Sequence, residues 1–246
     1  MNKKIMLIPL VILPFALTSC DEKIGARSYG DFLYKIDSDT NTVYLMGFTK
    51  EGEKKDVIVV PTTIENRKVT KIGYEQPRVF GSPLYQGSFY GSYSKIYIHS
   101  QIESIIREYT GHIIYSSKDN YNIYMGGEIN TSIHSKMYFP FQTLKDNPTR
   151  KDLYNVGFSN LVYYLNDGTD NTFFSDDIDG TKVEVIPPTP YNPGYTFTGW
   201  YKEPECINLF DFDNEILPKK QYDSEGFVIR SETKLYAGWT TTTKSA

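Results

Sequence analysis

Cys20 carries one of only two thiols in this 246-residue chain, and its surroundings favour alkylation of that thiol over disulfide formation. It follows an uncharged, mostly apolar run, Ile5–Leu17, which is preceded by Lys3–Lys4 and followed by Thr18–Ser19. A basic start, an apolar core of about 7–15 residues and small residues at the cut make up a secretory signal peptide. The core is too short for a spanning helix, which needs roughly 20 apolar residues. The pattern predicts export, with Cys20 at the cleavage site.

The residues Leu17-Thr18-Ser19-Cys20 resemble the bacterial lipobox, a short motif of small residues that ends in cysteine. The resemblance implies that residues 1–19 are removed, that Cys20 receives a diacylglyceryl group through a thioether, and that residues 20–27 form a short tether. Acyl chains contribute about 0.8 kcal/mol per buried CH2, so two or more chains hold a protein at a bilayer. The alternative is an ordinary signal peptide that happens to contain a cysteine.

The charge balance excludes several classes of partner. Without the two signal-peptide lysines, the mature chain has 24 basic and 30 acidic residues, a net charge of −6. Nucleic-acid binding requires a basic patch or stripe, and anionic lipid would repel this surface, so any membrane contact runs through the lipid on Cys20. Cys206 is then the one remaining thiol, which excludes an intramolecular disulfide. We expect Cys206 to be a half-buried small apolar residue.

Composition favours an all-β protein of two folded segments. The 21 tyrosines and 14 phenylalanines suit pleated, half-buried surfaces, and no strong helical periodicity is present. In the first segment, residues 28–155, the apolar-rich runs Phe32–Ile36 and Val43–Phe48 flank a turn and predict a β-hairpin. The turn has Asp or Asn at alternate positions, as in a calcium-binding loop. The glycine and closing glutamate of such a loop are missing, which favours a simple turn.

Strand-like fragments recur along the first segment. The stretch "VIVVPTTIENRKVTKIG" (57–73) is partly repeated at 94–105, and shorter fragments recur at 112–117, 121–127 and 135–140. Such self-similarity predicts an irregular solenoid in which each unit buries its apolar face against the next. Through Val60-Pro61 and Val69–Gly73, the first copy resembles a BspA-type leucine-rich repeat. The resemblance implies a β-rich solenoid that binds partners and catalyses nothing.

A Gly-, Ser- and Tyr-rich loop, residues 79–93, interrupts these repeats. Rigid aromatic side chains on such a frame are typical of binding surfaces. We therefore predict a partner-binding surface formed by Tyr85, Phe89, Tyr90 and Tyr93. The alternative is that the loop is a decayed repeat whose aromatic rings fill the interior of the solenoid.

The second segment, residues 158–240, follows a charged connecting stretch at 151–158. Predicted strands are Leu161–Leu165, Val183–Ile186, Tyr195–Tyr201 with a bulge at Gly199, and a closing strand, Leu235–Trp239. Residues Lys219–Arg230 are predicted to form a long hairpin loop. Residues 241–246 form a tail.

The second segment resembles the Listeria–Bacteroides repeat, also called the internalin B-repeat. The hallmark of the family, Pro-x-x-x-Gly-Tyr-x-Phe-x-Gly-Trp-Tyr, is matched by Pro190, Gly194, Tyr195, Phe197, Gly199, Trp200 and Tyr201. Phe210-Asp211-Phe212 and Leu235–Trp239 match its later elements. The resemblance implies a small β-grasp-like module of bacterial surface proteins that acts as a spacer or adhesion element. We expect Trp200 to anchor its core.

No motif in the chain predicts catalysis. The histidines His99, His112 and His134 lack metal-binding spacing, and there is no nucleophile elbow or phosphate-binding glycine loop. The acidic turn Asp176, Asp177 and Asp179 could hold calcium, but an exposed turn is favoured. We predict no enzyme activity, no cofactor and no metal.

Two functions fit these features. In the first, the protein is exported, anchored to the membrane by lipid and faces the extracellular side or the envelope, where it binds a protein or glycan. In the second, it is a non-catalytic envelope spacer or self-associating structural element. The oligomeric state and the identity of any ligand stay open.

Overall fold

A computed structural model describes residues 25–76, 84–86, 89–105, 114–119, 121–126, 130–131, 159–226, 228–229 and 231–242. The described residues form 20 strands and one 3-10 turn, Gly52–Lys54, with no α-helix, so the protein is mainly β as predicted. None of them lies in a helix long and apolar enough to span a membrane. The predicted signal peptide and Cys20 lie outside the described residues.

The largest sheet of the first segment begins with the predicted hairpin. Its strands are β1 (Arg27–Tyr29), β2 (Phe32–Asp37), β3 (Thr42–Phe48), β6 (Arg67–Ile72), β11 (Ser104–Ile105) and β14 (Asn130–Thr131), in that order, with β5 (Thr63–Ile64) paired to β6. In the β2–β3 turn, Asp37 Oδ1 accepts the backbone N–H groups of Asp39 (3.0 Å) and Thr40 (3.3 Å). This carboxylate therefore caps its own turn, as expected for a simple turn.

The recurring fragments of the first segment stack as parallel neighbours. One parallel sheet has the order β13 (Asn122–Met125), β10 (Lys95–Ile98), β4 (Val57–Val59), and a second pairs β9 (Phe89–Gly91) with β12 (Ile114–Ser116). In the first of these sheets, Ile96 stands opposite both Ile58 and Ile123. The antiparallel pair β7 (Tyr74–Gln76) and β8 (Leu84–Gln86) connects β6 to this region. The fragment at 135–140 lies outside the described residues.

The second segment forms a four-stranded mixed sheet. Its strand order is β16 (Thr172–Asp176), β15 (Leu161–Tyr164), β20 (Thr233–Thr241), β17 (Tyr195–Tyr201), with β15 and β20 parallel. A separate hairpin joins β18 (Gln221–Tyr222) to β19 (Val228–Ile229), within the predicted long loop. The predicted bulge is confirmed, because the register of β17 shifts between Phe197 and Gly199, where φ is +143°.

The predicted strand Val183–Ile186 is wrong. These residues are irregular, and the strand beside β15 is β16, which follows the Asn166–Gly168 turn directly. Phe173 and Phe174 on β16 are buried in the core, and Val183 reaches the same core from its irregular segment. The prolines that follow, beginning at Pro187, lack the N–H groups that a central strand needs.

The two segments share a core. The ring of Tyr97 stacks on Tyr124 at 4.9 Å and on Phe174 of the second segment at 5.2 Å. Ser100 N donates to the carbonyl of Phe173 at 2.9 Å, and Gly126 lies so close to the Phe173 backbone that a Cβ would overlap it. The division at 155–158 lies outside the described residues, so two separate domains stay a prediction. The shared core argues against independent folding of the second segment.

Candidate functional site

Two exposed tyrosines lie side by side on the short parallel sheet of β9 and β12. In this sheet Tyr90 stands directly opposite Tyr115, with ring centroids 4.9 Å apart and ring planes 38° apart. Their exposed fractions are 47% and 40%, while the preceding residues, Phe89 and Ile114, are buried. The alternation follows from the two-residue period of a strand. Tyr90 and Tyr115, here called the aromatic pair, form the candidate site.

Two of the four aromatic residues predicted to bind a partner lie in the core. The side chains of Phe89 and Tyr93 are 1% and 0% exposed, and both contact the ring of Phe48 edge-on. The Tyr93 hydroxyl donates to the Phe89 carbonyl at 3.2 Å, and burial raises the pKa of Tyr93. Buried rings cannot contact a partner, so the predicted binding role is wrong for Phe89 and Tyr93. Their rings fill the interior of the first segment instead. The side chain of Tyr85 lies outside the description.

Tyr115, the second member of the aromatic pair, is not among the predicted binding residues. It lies in one of the recurring strand-like fragments, residues 112–117. Its local signal is the alternation of Ile114 and Tyr115. The parallel pairing of β12 with β9, 25 residues earlier at Ser116 and Gly91, is a non-local contact that no local pattern specifies.

The frame beneath the aromatic pair is tied to its neighbours by hydrogen bonds. Ser116 Oγ donates to the carbonyl of Tyr93 at 2.6 Å, and Ser92 N donates to the carbonyl of Glu53 at 2.8 Å. At the surface, an ion pair joins Lys118 to Asp56, and the hydrogen bond from Lys118 lowers the pKa of Asp56. These contacts hold the backbones of β9 and β12 in place. The two tyrosine rings are therefore fixed on strands, and no loop has to become ordered when a partner binds.

The aromatic pair is suited to contact and hydrogen bonding. Each ring offers apolar area and a hydroxyl that donates or accepts a hydrogen bond. No group of three His, Cys, Asp or Glu side chains that could hold a metal ion occurs within the described parts of the chain.

The acidic turn of the second segment uses its three carboxylates in three different ways. Asp176 accepts a hydrogen bond from the Tyr97 hydroxyl at 2.7 Å. Asp177 forms an ion pair with the ammonium of Lys220 at 2.7 Å, and Asp179 accepts the backbone N–H of Lys220 at 2.9 Å. Because Asp176 is 1% exposed, the predicted exposed turn is wrong for this residue, and of the three carboxylates only that of Asp179 is exposed.

Of the hallmark aromatics of the second segment, Trp200 lies in the core, whereas Tyr195 is 48% exposed. Trp200 is 3% exposed and packs against Tyr163 at 4.9 Å, Phe197 at 5.2 Å and Phe173 at 5.7 Å, which confirms its predicted burial. Trp239, on β20, donates a hydrogen bond from Nε1 to the carbonyl of Leu165 at 2.7 Å.

The second cysteine is also placed as predicted. Cys206 is half-buried and not disulfide-bonded, and its Sγ lies 3.5 Å from Asn166 Nδ2. Burial raises the pKa of this thiol, which lowers the thiolate fraction. Cys206 is therefore a packing residue and not a reactive one.

The stretch of chain from β15 to β20 contains all four strands of the mixed sheet and the core residue Trp200. Residues 160–238 match the Listeria-Bacteroides repeat domain. The Listeria-Bacteroides repeat is a surface-associated repeat of bacterial proteins, and here the matched residues begin just before β15 and end within β20. None of the curated proteins compared with the chain matches it significantly. The resemblance of the first segment to BspA-type repeats stays a prediction.

Proposed function

We propose that this chain is a lipid-anchored, non-catalytic protein of the bacterial cell surface whose first segment binds a protein or glycan partner. In this proposal the parallel strands of the first segment are a leucine-rich-repeat-like solenoid, and the Listeria-Bacteroides repeat is a β-grasp-like module that supports it. Cys20 is the lipid attachment site. The surface association of the repeat family supports this location.

The aromatic pair is the observation that carries the binding role. Tyr90 and Tyr115 expose 47% and 40% of their surface although the residue before each of them, Phe89 and Ile114, is buried. Exposed aromatics that cluster, on a frame already held by hydrogen bonds, supply contact area at low conformational cost. The mature chain predicted from the sequence has a net charge of −6, which suits a neutral or basic partner.

Capture of partners by the full chain tests the binding role. The protein, immobilised through its lipid in vesicles, is exposed to an array of glycans and to matrix and envelope proteins. Any partner captured should be lost with Tyr90→Ser/Tyr115→Ser and retained with Tyr222→Ser, a control that removes a tyrosine of the β18–β19 hairpin that is 57% exposed. Equal capture by all three proteins would remove the aromatic pair from the proposal.

Exposed aliphatic residues of the second segment favour a second function, self-association. Ile207, Ile216 and Leu209 are 75%, 68% and 57% exposed in the connection between β17 and the β18–β19 hairpin. A spacer that assembles with itself could bury them. Sedimentation of wild type against Ile207→Ser/Leu209→Ser separates the two functions: a concentration-dependent species that the variant lacks would support the spacer.

A further inference from the structure

A polar cleft of about 560 Å³ opens where the two segments meet. One wall comes from the first segment and includes Lys68, Ser100 and Glu103. The other wall is the end of the β15–β16 turn, Asp170, Asn171 and Thr172. Its volume lies within the range of about 300–1,000 Å³ that is usual for small-ligand sites. The cleft shares no residue with the aromatic pair.

We propose that this cleft binds a neutral saccharide. The side chains of Asp170 and Asn171 are exposed and have no hydrogen-bond partner among the described residues, so a carboxylate and an amide are free for a ligand. Across the cleft, Lys68 Nζ and Glu103 Oε1 pair at 3.1 Å and leave further donor and acceptor capacity. Sugar hydroxyls donate and accept at once, which matches a surface that mixes carboxylates, an amide, a hydroxyl and an ammonium.

The charges and polarity of the walls disfavour other ligand classes. An anion would meet the carboxylates of Glu103 and Asp170, with only Lys68 to balance them. An apolar ligand would desolvate these polar groups without offering hydrogen bonds in return, which costs free energy. Glu103 and Asp170 belong to no group that could hold a metal ion among the described residues. A neutral ligand with many hydroxyls remains.

Hydrogen bonds between the two segments hold the cleft in shape, and one of them joins its walls, since Ser100 N donates to the carbonyl of Phe173, next to Thr172, at 2.9 Å. Gln101 binds the backbone of Tyr191 in both directions, with Nε2 to the carbonyl at 2.5 Å and Oε1 from the N–H at 2.9 Å. The Thr62 hydroxyl donates to the carbonyl of Thr189 at 2.6 Å. A site held in place by its own scaffold loses little entropy when a ligand binds. A ligand that touches both walls would also stabilise the junction.

Binding of defined trisaccharides to the full chain in detergent micelles tests this site. The neutral probes are maltotriose, cellotriose and N,N′,N″-triacetylchitotriose, the anionic probe is 3′-sialyllactose, and a trialanine peptide represents peptides. Saturation-transfer difference NMR detects binding, and calorimetry gives the Kd. We expect at least one neutral probe to bind, with the anionic probe and the peptide weaker than it by at least about tenfold.

Matched variants locate the bound sugar. Asp170→Ala/Asn171→Ala should weaken binding by about tenfold or more, since two hydrogen bonds are lost. Asp213→Ala, an exposed aspartate elsewhere in the second segment, should leave the Kd unchanged. If the double variant loses its melting transition, the nearly isosteric Asp170→Asn replaces it and should weaken binding several-fold. No binding of any neutral probe, preference for the anionic probe or the peptide, or an unchanged Kd in the cleft variants would overturn the proposal.

Discussion

The hydroxyl of Tyr97 donates a 2.7 Å hydrogen bond to the carboxylate of Asp176, and this bond joins the two segments inside their shared core. Asp176 is 1% exposed, and burial raises the pKa of its carboxyl although the bond from Tyr97 opposes that shift. Burial likewise raises the pKa of Tyr97. A buried carboxylate is tolerated only when it is hydrogen-bonded. The Asp176 carboxylate therefore requires the Tyr97 hydroxyl, which favours this one packing of the two segments over others.

The first prediction follows from this bond. Tyr97→Phe keeps the ring stack but leaves the Asp176 carboxylate short of a donor, so it should lower the free energy of unfolding by about 1.5–3 kcal/mol. Tyr124→Phe is the matched control, since the Tyr124 ring lies in the same stack and its hydroxyl has no hydrogen bond to a described residue; it should cost less than about 0.5 kcal/mol. Urea unfolding measures both. Equal losses in the two variants would mean that the bond contributes nothing.

The second prediction concerns His99, whose side chain is completely buried. Its Nε2 lies 3.1 Å from the carbonyl of Pro61, its ring stacks on Phe173 at 5.6 Å, and burial lowers its pKa from 6.5 to about 4. The unfolded chain therefore binds the proton more tightly. Stability from this residue is fully present above pH 6.5 and is lost as the pH falls towards 4, by about 3 kcal/mol.

His99→Gln removes this titration while keeping a donor towards Pro61. We expect the variant to be less stable than wild type at pH 7 and to lose less of its stability between pH 6.5 and 4. Asp176→Asn provides a comparison of opposite sign. Because the folded-state pKa of Asp176 is raised, its ionisation lowers stability as the pH rises above the value of 3.8 for an unperturbed aspartate. Denaturant midpoints at several pH values measure both; parallel curves for wild type and His99→Gln would refute the His99 effect.

Local patterns in the sequence were sufficient for part of this fold. The hairpin of β2 and β3 was predictable because its strands alternate and its turn contains Asp37, which caps its own backbone. The bulge in β17 was predictable because Gly199 interrupts an alternating strand. Both signals lie within a few residues of the structure they specify.

The junction and both candidate sites were not predictable in the same way. Tyr97 lies in a predicted repeat, at 94–105, whereas Phe174 lies in no predicted strand. The two rings stack only because segments that are distant in the sequence pack together. Tyr90 and Tyr115 meet only because β9 and β12 pair. No sequence pattern singles out Asp170 and Asn171, and they line a cleft only because Lys68 and Glu103 lie on the opposite wall.

The third prediction uses the shared core. Trp200→Ala should cost about 3–5 kcal/mol, a large part of the stability of a small domain, because the indole is buried among three aromatic rings. Since Phe173 contacts both Trp200 and His99, the loss should extend to the first segment. Thermal unfolding followed by circular dichroism should show one transition that shifts as a whole. A transition of the first segment that keeps the wild-type midpoint would show that the segments unfold separately.

The fourth prediction compares residues 159–242 alone with the same residues in the full chain. Removing the first segment would expose faces of Phe173 and Phe174 that Tyr97 and His99 now cover. We therefore expect the fragment to unfold at a lower urea concentration than the intact protein. Phe174→Ser in the fragment would act as a control, since it removes much of the newly exposed apolar surface and should improve solubility. A fragment with the midpoint of the full chain would establish an independent domain.

The last prediction separates core from surface among the tyrosines of one short stretch. Tyr93 is fully buried and packs against Phe48 and, edge-on at 5.8 Å, against Tyr121, so Tyr93→Ala should cost about 3–5 kcal/mol. Tyr90→Ala removes a ring that is nearly half exposed and should cost less than about 1 kcal/mol, mainly through its lost contact with Tyr115. Urea unfolding of the full chain measures both changes. Similar losses would place Tyr90 in the core with Tyr93 and leave the aromatic pair without a free surface.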